Sequence, residues 1–264
     1  MVKRRAIPLI AFALVAGCTT SPTGRQQLML TSQASLESAS QAAFRELKRE
    51  QPLSDNRALT AYVNCVADAI TARLPERRPW EVAVFADDAV NAFAMPGGKI
   101  GVFEGLLKAA RTPDQLAVVI GHEVGHVLAN HSAERQSQNL VAGLGVVAGG
   151  VLGTQAGMDP SVAQSLTGTL ASLGFLLPFS RVQESEADVI GLELMARAGF
   201  DPRAAPVLWR NMEEVQGSRF PEFLSTHPSA GNRAARLQSL QNDTLPLYQA
   251  ARRAGIRPAC RAPR

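Results

Sequence analysis

His122-Glu123-Val124-Gly125-His126 sets two imidazoles four residues apart with a carboxylate between them. On an α-helix, positions i and i+4 share a face, so both rings can reach one metal ion. Two neutral imidazoles and a third ligand leave one tetrahedral position of Zn²⁺ open, where a water of lowered pKa can be activated for attack on a carbonyl. Glu123 is the candidate general base for that water. The alternative is a chance match, with both histidines hydrogen-bonded in a core. The chain has only four histidines, and finding two of them in this spacing argues against chance.

A third ligand is available. Glu184 and Asp188 are again i and i+4, so one can bind the metal while the other accepts the second N–H of a ligand histidine and fixes its tautomer. Glu186 projects from a different face. In isolation, these acids would be read as a solvated helix face.

The elements that must carry these residues are marked by their ends. Thr112-Pro113-Asp114-Gln115 has an N-cap, a proline at the first helical position and a capping-box glutamine, which predicts a helix over 113–131. Ser180 opens a second helical run that stops at Gly199, and Asp201-Pro202 caps the next. His131 lies five residues past His126, about 140° around the helix from the ligand face, and is expected at the helix end. Residues 81–85, 89–95 and 99–103 read as strands, the last two joined by the turn Pro96-Gly97-Gly98. Further helices are expected over 32–50, 55–74, 104–110 and 203–217, with a last one from near Gly231.

Taken together, HExxH and the ExxxD in Ser180-Arg181-Val182-Gln183-Glu184-Ser185-Glu186-Ala187-Asp188 resemble the gluzincins of metallopeptidase family 48. That group includes the CAAX prenyl proteases, HtpX, BepA and LoiP, and the pattern is most similar to LoiP-like periplasmic lipoproteins. Asn91-Ala92-Phe93-Ala94-Met95-Pro96-Gly97-Gly98 resembles the family's NAFxxPGG segment. Thr226-His227-Pro228, with Arg233 six residues after the histidine, resembles its THPxxxxxR motif. The matches run in family order from about Tyr62 to Leu240.

The resemblance implies an α+β, predominantly helical, zincin-like domain with a small sheet beside the HExxH helix. It implies one Zn²⁺ per chain, held by His122, His126 and Glu184, with Glu123 as base and later as proton donor to the leaving amine. Asp188 would hold a ligand histidine, His122. His227 would either stabilise the oxyanion or occupy the open metal position in a resting state, and Arg233 would support that loop or the oxyanion. Asn91, Ala92, Phe93 and Ala94 would form a free sheet edge to which an extended peptide adds by main-chain hydrogen bonds, an ordinary core hairpin being the alternative.

The amino terminus bears on compartment. Lys3, Arg4 and Arg5 precede a short apolar stretch, Ala6 to Ala16, too short to span a bilayer, so residues 1–17 read as a secretory signal. Leu14-Val15-Ala16-Gly17-Cys18 resembles a bacterial lipobox, which makes Cys18 the expected lipidation site, and Thr19 rather than aspartate resembles outer-membrane sorting. A tether is expected over 18–30 and the peptidase domain over 31–264. Cys65 and Cys260 then remain as an even pair in an oxidising periplasm, expected as a disulfide, with two buried thiols as the alternative. The net charge of +4 loses Lys3, Arg4 and Arg5 on cleavage, leaving 4 − 3 = +1. No basic run interleaved with aromatics is present, so nucleic acid is not an expected partner.

From Asn139 to Phe179 the chain is rich in Gly, Ala, Val and Leu, with Asp159 as the only charge. A helical hairpin is expected there, either a lid over the site or an apolar surface for membrane, partner or client; frequent glycine argues against a spanning pair. The functional expectation is a lipid-anchored periplasmic zinc endopeptidase acting on extended or misfolded envelope proteins. The alternative is a chaperone-like factor serving the outer-membrane assembly machinery, with latent proteolysis.

Overall fold

The computed structural model describes residues 18–141, 143, 179–216, 227 and 233–263. The expected leader over 1–17, nearly all of the 139–179 segment and the neighbours of His227 lie outside the described residues. The chain divides into two compact units, one of residues 1–35 with 130–177 and one of residues 36–129 with 178–264.

In the first unit, β1 (Cys18–Thr20) pairs antiparallel with β2 (Gln26–Leu28). The tether expected over 18–30 is therefore a hairpin, and two features of its sequence explain this. Gly24, at φ 90°, turns the chain where a side chain would be strained. Arg25 then forks onto Glu134 in a helix over 131–141, Nη1 to Oε1 at 2.5 Å and Nη2 to Oε2 at 2.7 Å. Gln27 Nε2 donates to the same carboxylate at 3.2 Å, and the Leu30 N–H donates to Ser137 Oγ at 2.8 Å.

The second unit is built on a three-stranded sheet in the order β3 (Glu81–Phe85), β5 (Lys99–Phe103), β4 (Ala92–Met95). β3 runs parallel to β5, and β4 antiparallel to it. The β4–β5 turn needs its glycines, with Gly97 at φ 81° and Gly98 at φ 73°. Alternation along the strands gives the sheet two apolar faces. Val84, Ala92, Ile100 and Val102 join the main core with α2 (Arg57–Thr71) and α3 (Pro113–Leu128). Ala83, Phe85, Phe93 and Phe103 pack instead with Phe44 of α1 (Gln33–Glu50).

Chain register decides which part of β4 is open. Asn91 O accepts the Phe103 N–H at 3.1 Å, so Phe93 and Gly101 form the next hydrogen-bonded pair of the antiparallel ladder. The main-chain groups of Ala92 and Ala94 therefore point away from β5, to the free edge.

α3 starts as expected, with Thr112 Oγ1 accepting the Gln115 N–H, but ends at Leu128, because Asn130 takes φ 53° and breaks the helix before His131. α4 (Arg181–Arg197) has a reciprocal capping box between Ser180 and Gln183. α5 (Ala204–Gln216), α6 (Arg233–Ser239) and α7 (Gln241–Arg253) follow, so the single late helix expected from near Gly231 is two helices meeting at Leu240. Cys260, in the tail, forms a disulfide with Cys65 of α2. Among the described residues, no helix is long and apolar enough to cross a membrane.

The Arg25–Glu134 pair is the load on the hairpin. Removing the arginine leaves a carboxylate only 3% exposed without its fork. Arg25→Ala is expected to destabilise this unit by about 2 kcal/mol, Gln27 still holding the carboxylate, and to expose residues 18–30 to protease. Unchanged cleavage in that stretch would show that the hairpin is held by something else.

Candidate metal centre

Two helices bring the expected ligands together, and small residues let them approach. A Cβ on Gly121 would sit 2.7 Å from the Gly191 carbonyl oxygen, one on Gly125 2.9 Å from that of Ala187, and one on Gly191 2.6 Å from His122 N. Only backbone-to-backbone packing at these points lets side chains of α3 and α4 meet across the interface.

His122, His126, Glu184 and His227 each place a donor atom within 4.8 Å of the others, and all four are buried. His122 Nε2 lies 3.0 Å from His126 Nε2 and 3.3 Å from His227 Nδ1. Glu184 Oε1 is 2.9 Å from His227 Nδ1 and 3.3 Å from His126 Nε2, while its Oε2 is 3.4 Å from His122 Nε2. Donors about 2.0–2.1 Å from a tetrahedral zinc stand about 3.3–3.4 Å apart, so these separations are close to the edges of such a polyhedron. Three imidazoles and one carboxylate are also ligands that zinc accepts. The residues fit the metal.

The surrounding groups set tautomer and charge. Asp188 Oδ1 is 3.0 Å from His122 Nδ1, so an N–H there donates to the carboxylate, and in the neutral ring the Nε2 lone pair faces the donor cluster. Arg233 is buried and forks onto Asp188, Nε to Oδ2 at 3.0 Å and Nη2 to Oδ1 at 2.6 Å, while its Nη1 donates to Glu184 Oε2 at 2.8 Å. Arg236 adds a further bond to Asp188 Oδ2 at 2.5 Å and one to Ser185 Oγ. Of the two roles expected for Arg233, these contacts favour support over the oxyanion: its in-plane N–H groups are directed to carboxylates.

Glu123 is placed differently. Its Oε2 accepts the edge N–H of Ala94 at 3.2 Å. Its Oε1 is buried without a hydrogen bond, and His227 Nε2 stands 3.4 Å away. Burial raises its proton affinity, against the opposing pull of His227 and His122. In the metal-free protein, burial pulls His126 well below the usual imidazole value. His122 is also penalised by burial, but the Glu184 charge and hydrogen bonds to Asp188 and Glu184 push it up to about 9. Glu184 and Asp188 are held far below the ordinary carboxylate range despite burial, the first mainly by His122 and the second mainly by Arg233.

Of the proposed peptide edge, Ala92 turns its main-chain groups outward beside Glu123, and Ala94 offers its carbonyl, its N–H being held by Glu123. Asn91 and Phe93 do not: the Asn91 N–H turns back to Ala89 O while its carbonyl bonds Phe103 of β5, Phe93 pairs with Gly101 of β5, and the Phe93 ring lies over Gly101 on the opposite sheet face. Glu186 is buried but outside the donor set, and His131 is fully buried at the start of the helix over 131–141. Sequence reasoning missed Phe179, whose ring centroid is 4.0 Å from that of His126, and Trp209, over which the Arg233 guanidinium sits at 4.3 Å. Phe179 directly precedes the N-cap Ser180, a position where an apolar residue commonly packs back on its helix, and was open to detection.

The sequence profile of peptidase family M48 matches residues 53–241. The chain belongs to peptidase family M48. Over 185 residues it is 40% identical to the mitochondrial metalloendopeptidase OMA1 of Arabidopsis thaliana, covering 69% of this chain and 36% of that one. Over 161 residues it is 42% identical to the Schizosaccharomyces pombe protein of the same name, covering 60% and 46%. Over 214 residues it is 32% identical to the beta-barrel assembly-enhancing protease of Escherichia coli K12, covering 77% and 43%. The chain thus spans less than half the length of each of these relatives. M48 peptidases use zinc, and the donor set of this M48 chain suits that ion.

The raised His122 value has a measurable consequence. Zinc needs the neutral ring, so below about pH 9 a proton must leave His122 before the metal binds. His126, already neutral, adds no such dependence near pH 7. Zinc affinity, measured by competition with a chelator, is expected to climb by up to about tenfold per pH unit from pH 6 and to flatten above about pH 9. An affinity flat across that window would contradict the assigned environment of His122.

Proposed function

We propose that this chain is a zinc-dependent endopeptidase of the bacterial cell envelope, cleaving extended or misfolded polypeptide. One observation carries the reading: a buried carboxylate with an unbonded oxygen, four metal-donor atoms and the free main-chain edge of a strand meet at one point. His122, His126 and Glu184 are the proposed ligands. Bound zinc would polarise the scissile carbonyl and lower the pKa of the attacking water.

The chain's own groups supply the remainder. Glu123 Oε1 takes the proton of the attacking water and later delivers it to the leaving amine nitrogen. Ala94 N–H holds Oε2 and thereby aims Oε1 into the reaction space. An extended peptide would pair with the outward groups of Ala92 and with the Ala94 carbonyl, a mode with little demand on side-chain sequence. Asp188 and Arg233 hold ligands in place.

For the setting, we propose cleavage of residues 1–17, lipidation at Cys18 and attachment to the periplasmic face of the outer membrane. The lipobox-like residues support this, as does the likeness to the E. coli protease, whose name records a role in beta-barrel assembly. That likeness also supports the alternative, an assembly or quality-control factor in which proteolysis is latent.

A second reading concerns the resting state and rests on His227. Its Nδ1 lies within the donor cluster, so the metal would be closed by four protein ligands, whereas catalysis needs one position open. His227 is then an internal inhibitor that must withdraw.

Glu123→Gln is expected to retain one zinc per chain and the fold while losing about 10²-fold or more in cleavage of a denatured protein. Wild-type turnover in that variant would remove Glu123 as base. His227→Ala is expected to raise basal turnover. A fall of about 10²-fold would instead make His227 an oxyanion donor.

A further inference from the structure

We propose that Trp209, on α5, is a positioning residue of the metal centre that acts through Arg233. The inference rests on the reading of His122, His126 and Glu184 as zinc ligands.

Arg233 binds both carboxylates of the centre with one rigid plane. The guanidinium edge formed by Nε and Nη2 holds Asp188, and Nη1 holds Glu184 Oε2. A guanidinium directs its donors in its plane, so its orientation decides whether all these contacts are met together. With the edges used by carboxylates, a face remains to be covered, and Arg233 is too deeply buried for bulk water to cover it. The Trp209 indole fills that role, with its ring centroid 4.3 Å from Arg233 Cζ and the residue itself 7% exposed. An aromatic face attracts the cation and also fixes the tilt of its plane.

The two carboxylates depend on that plane unequally. Asp188 also receives Arg236, at 2.5 Å. Among the arginines of the described residues, Arg233 alone bonds Glu184. A tilted guanidinium would therefore release Glu184 while Asp188 stayed held. Glu184 is the carboxylate in the donor set, and its Oε1 must stay near His126 Nε2 and His227 Nδ1 for the cluster to close. The chain of dependence runs from the indole face through the guanidinium plane to the Glu184 rotamer and so to metal affinity. Behind His122 lies a cavity of about 20 Å³, bordered by Val118, Leu208, Trp209 and Met212 with Arg233 and Asp188, so the Trp209 side of the centre is apolar. A shortened side chain at 209 would enlarge this space and let the guanidinium tip into it.

The test is zinc affinity of the full chain in detergent, measured at one pH by competition with a chromophoric chelator. Trp209→Phe keeps an aromatic face and is expected within about threefold of wild type. Trp209→Leu and Arg233→Lys are expected to weaken zinc about 10- to 100-fold, the range for loss of a group that orients a ligand. Melting of the metal-free proteins separates this from general damage, because Phe and Leu both shorten the side chain and should lower Tm comparably. If Trp209→Leu does not fold, Trp209→Met is read in its place. Equal affinities for the Phe and Leu (or Met) variants would overturn the proposal, whether both matched wild type or both fell. Wild type that bound no zinc would instead overturn the ligand assignment beneath it.

Discussion

The centre depends first on how closely α3 and α4 approach. Donor atoms about 3 Å apart on side chains of two different helices need backbones with nothing between them. Gly121 and Gly191 meet there, as do Gly125 and Ala187, and a methyl at any of these glycines would fall within 3 Å of opposing backbone. Such glycines weaken a helix by about 1 kcal/mol each relative to alanine, so α3 and α4 are not stable on local preference. Their ends compensate in part, through the Thr112 cap on Gln115 and the Ser180–Gln183 box. Tertiary packing of Leu116, Ile120, Val124, Leu192 and Met195 supplies the rest.

Close approach creates an electrostatic problem that the charged residues resolve. Glu123, Glu184 and Asp188 are all at least 95% buried, and carboxylates so placed must be matched by cations or take up protons. Asp188 and Glu184 are matched by Arg233, and Asp188 again by Arg236. Among the described residues Glu123 has no arginine partner; a main-chain N–H and the His227 ring approach it. The division matches the proposed roles: the carboxylates proposed to bind and to orient are held ionised, whereas the proposed base keeps raised proton affinity. A base poised in this way accepts a proton and gives it back.

What the sequence made legible was local. Positions i and i+4 placed His122 with His126 and Glu184 with Asp188, and the caps at Thr112 and Ser180 fixed where their helices begin. The two-residue period of β4 already separates Ala92 and Ala94 from Phe93, although the strand order that leaves β4 at the edge depends on a parallel β3–β5 pairing between distant segments. Long-range partners were not legible. Arg233 stood out as part of a pattern, but its choice of carboxylates over the oxyanion depends on where α6 lands. Trp209 carries no signal at all in the chain, being one apolar residue of an amphipathic helix, and acquires a role only from the cation above it. The hairpin over 18–28 was missed because its stabilising contact, Arg25 with Glu134, spans 109 residues.

His227 gives the centre two opposed properties. Four protein donors retain a metal well, and taken alone they describe a closed structural zinc site. A structural site has no use for a desolvated carboxylate oxygen without a hydrogen bond, since such a group costs stability wherever it is buried. Glu123 Oε1 is that group, and it faces the Nε2 of the same ring whose Nδ1 closes the donor set. The space His227 occupies is therefore the space in which Glu123 would meet a hydrogen-bond donor during turnover. On the proposed reading, moving one imidazole would open the metal position and free the base together, so a single side chain would govern both requirements of hydrolysis.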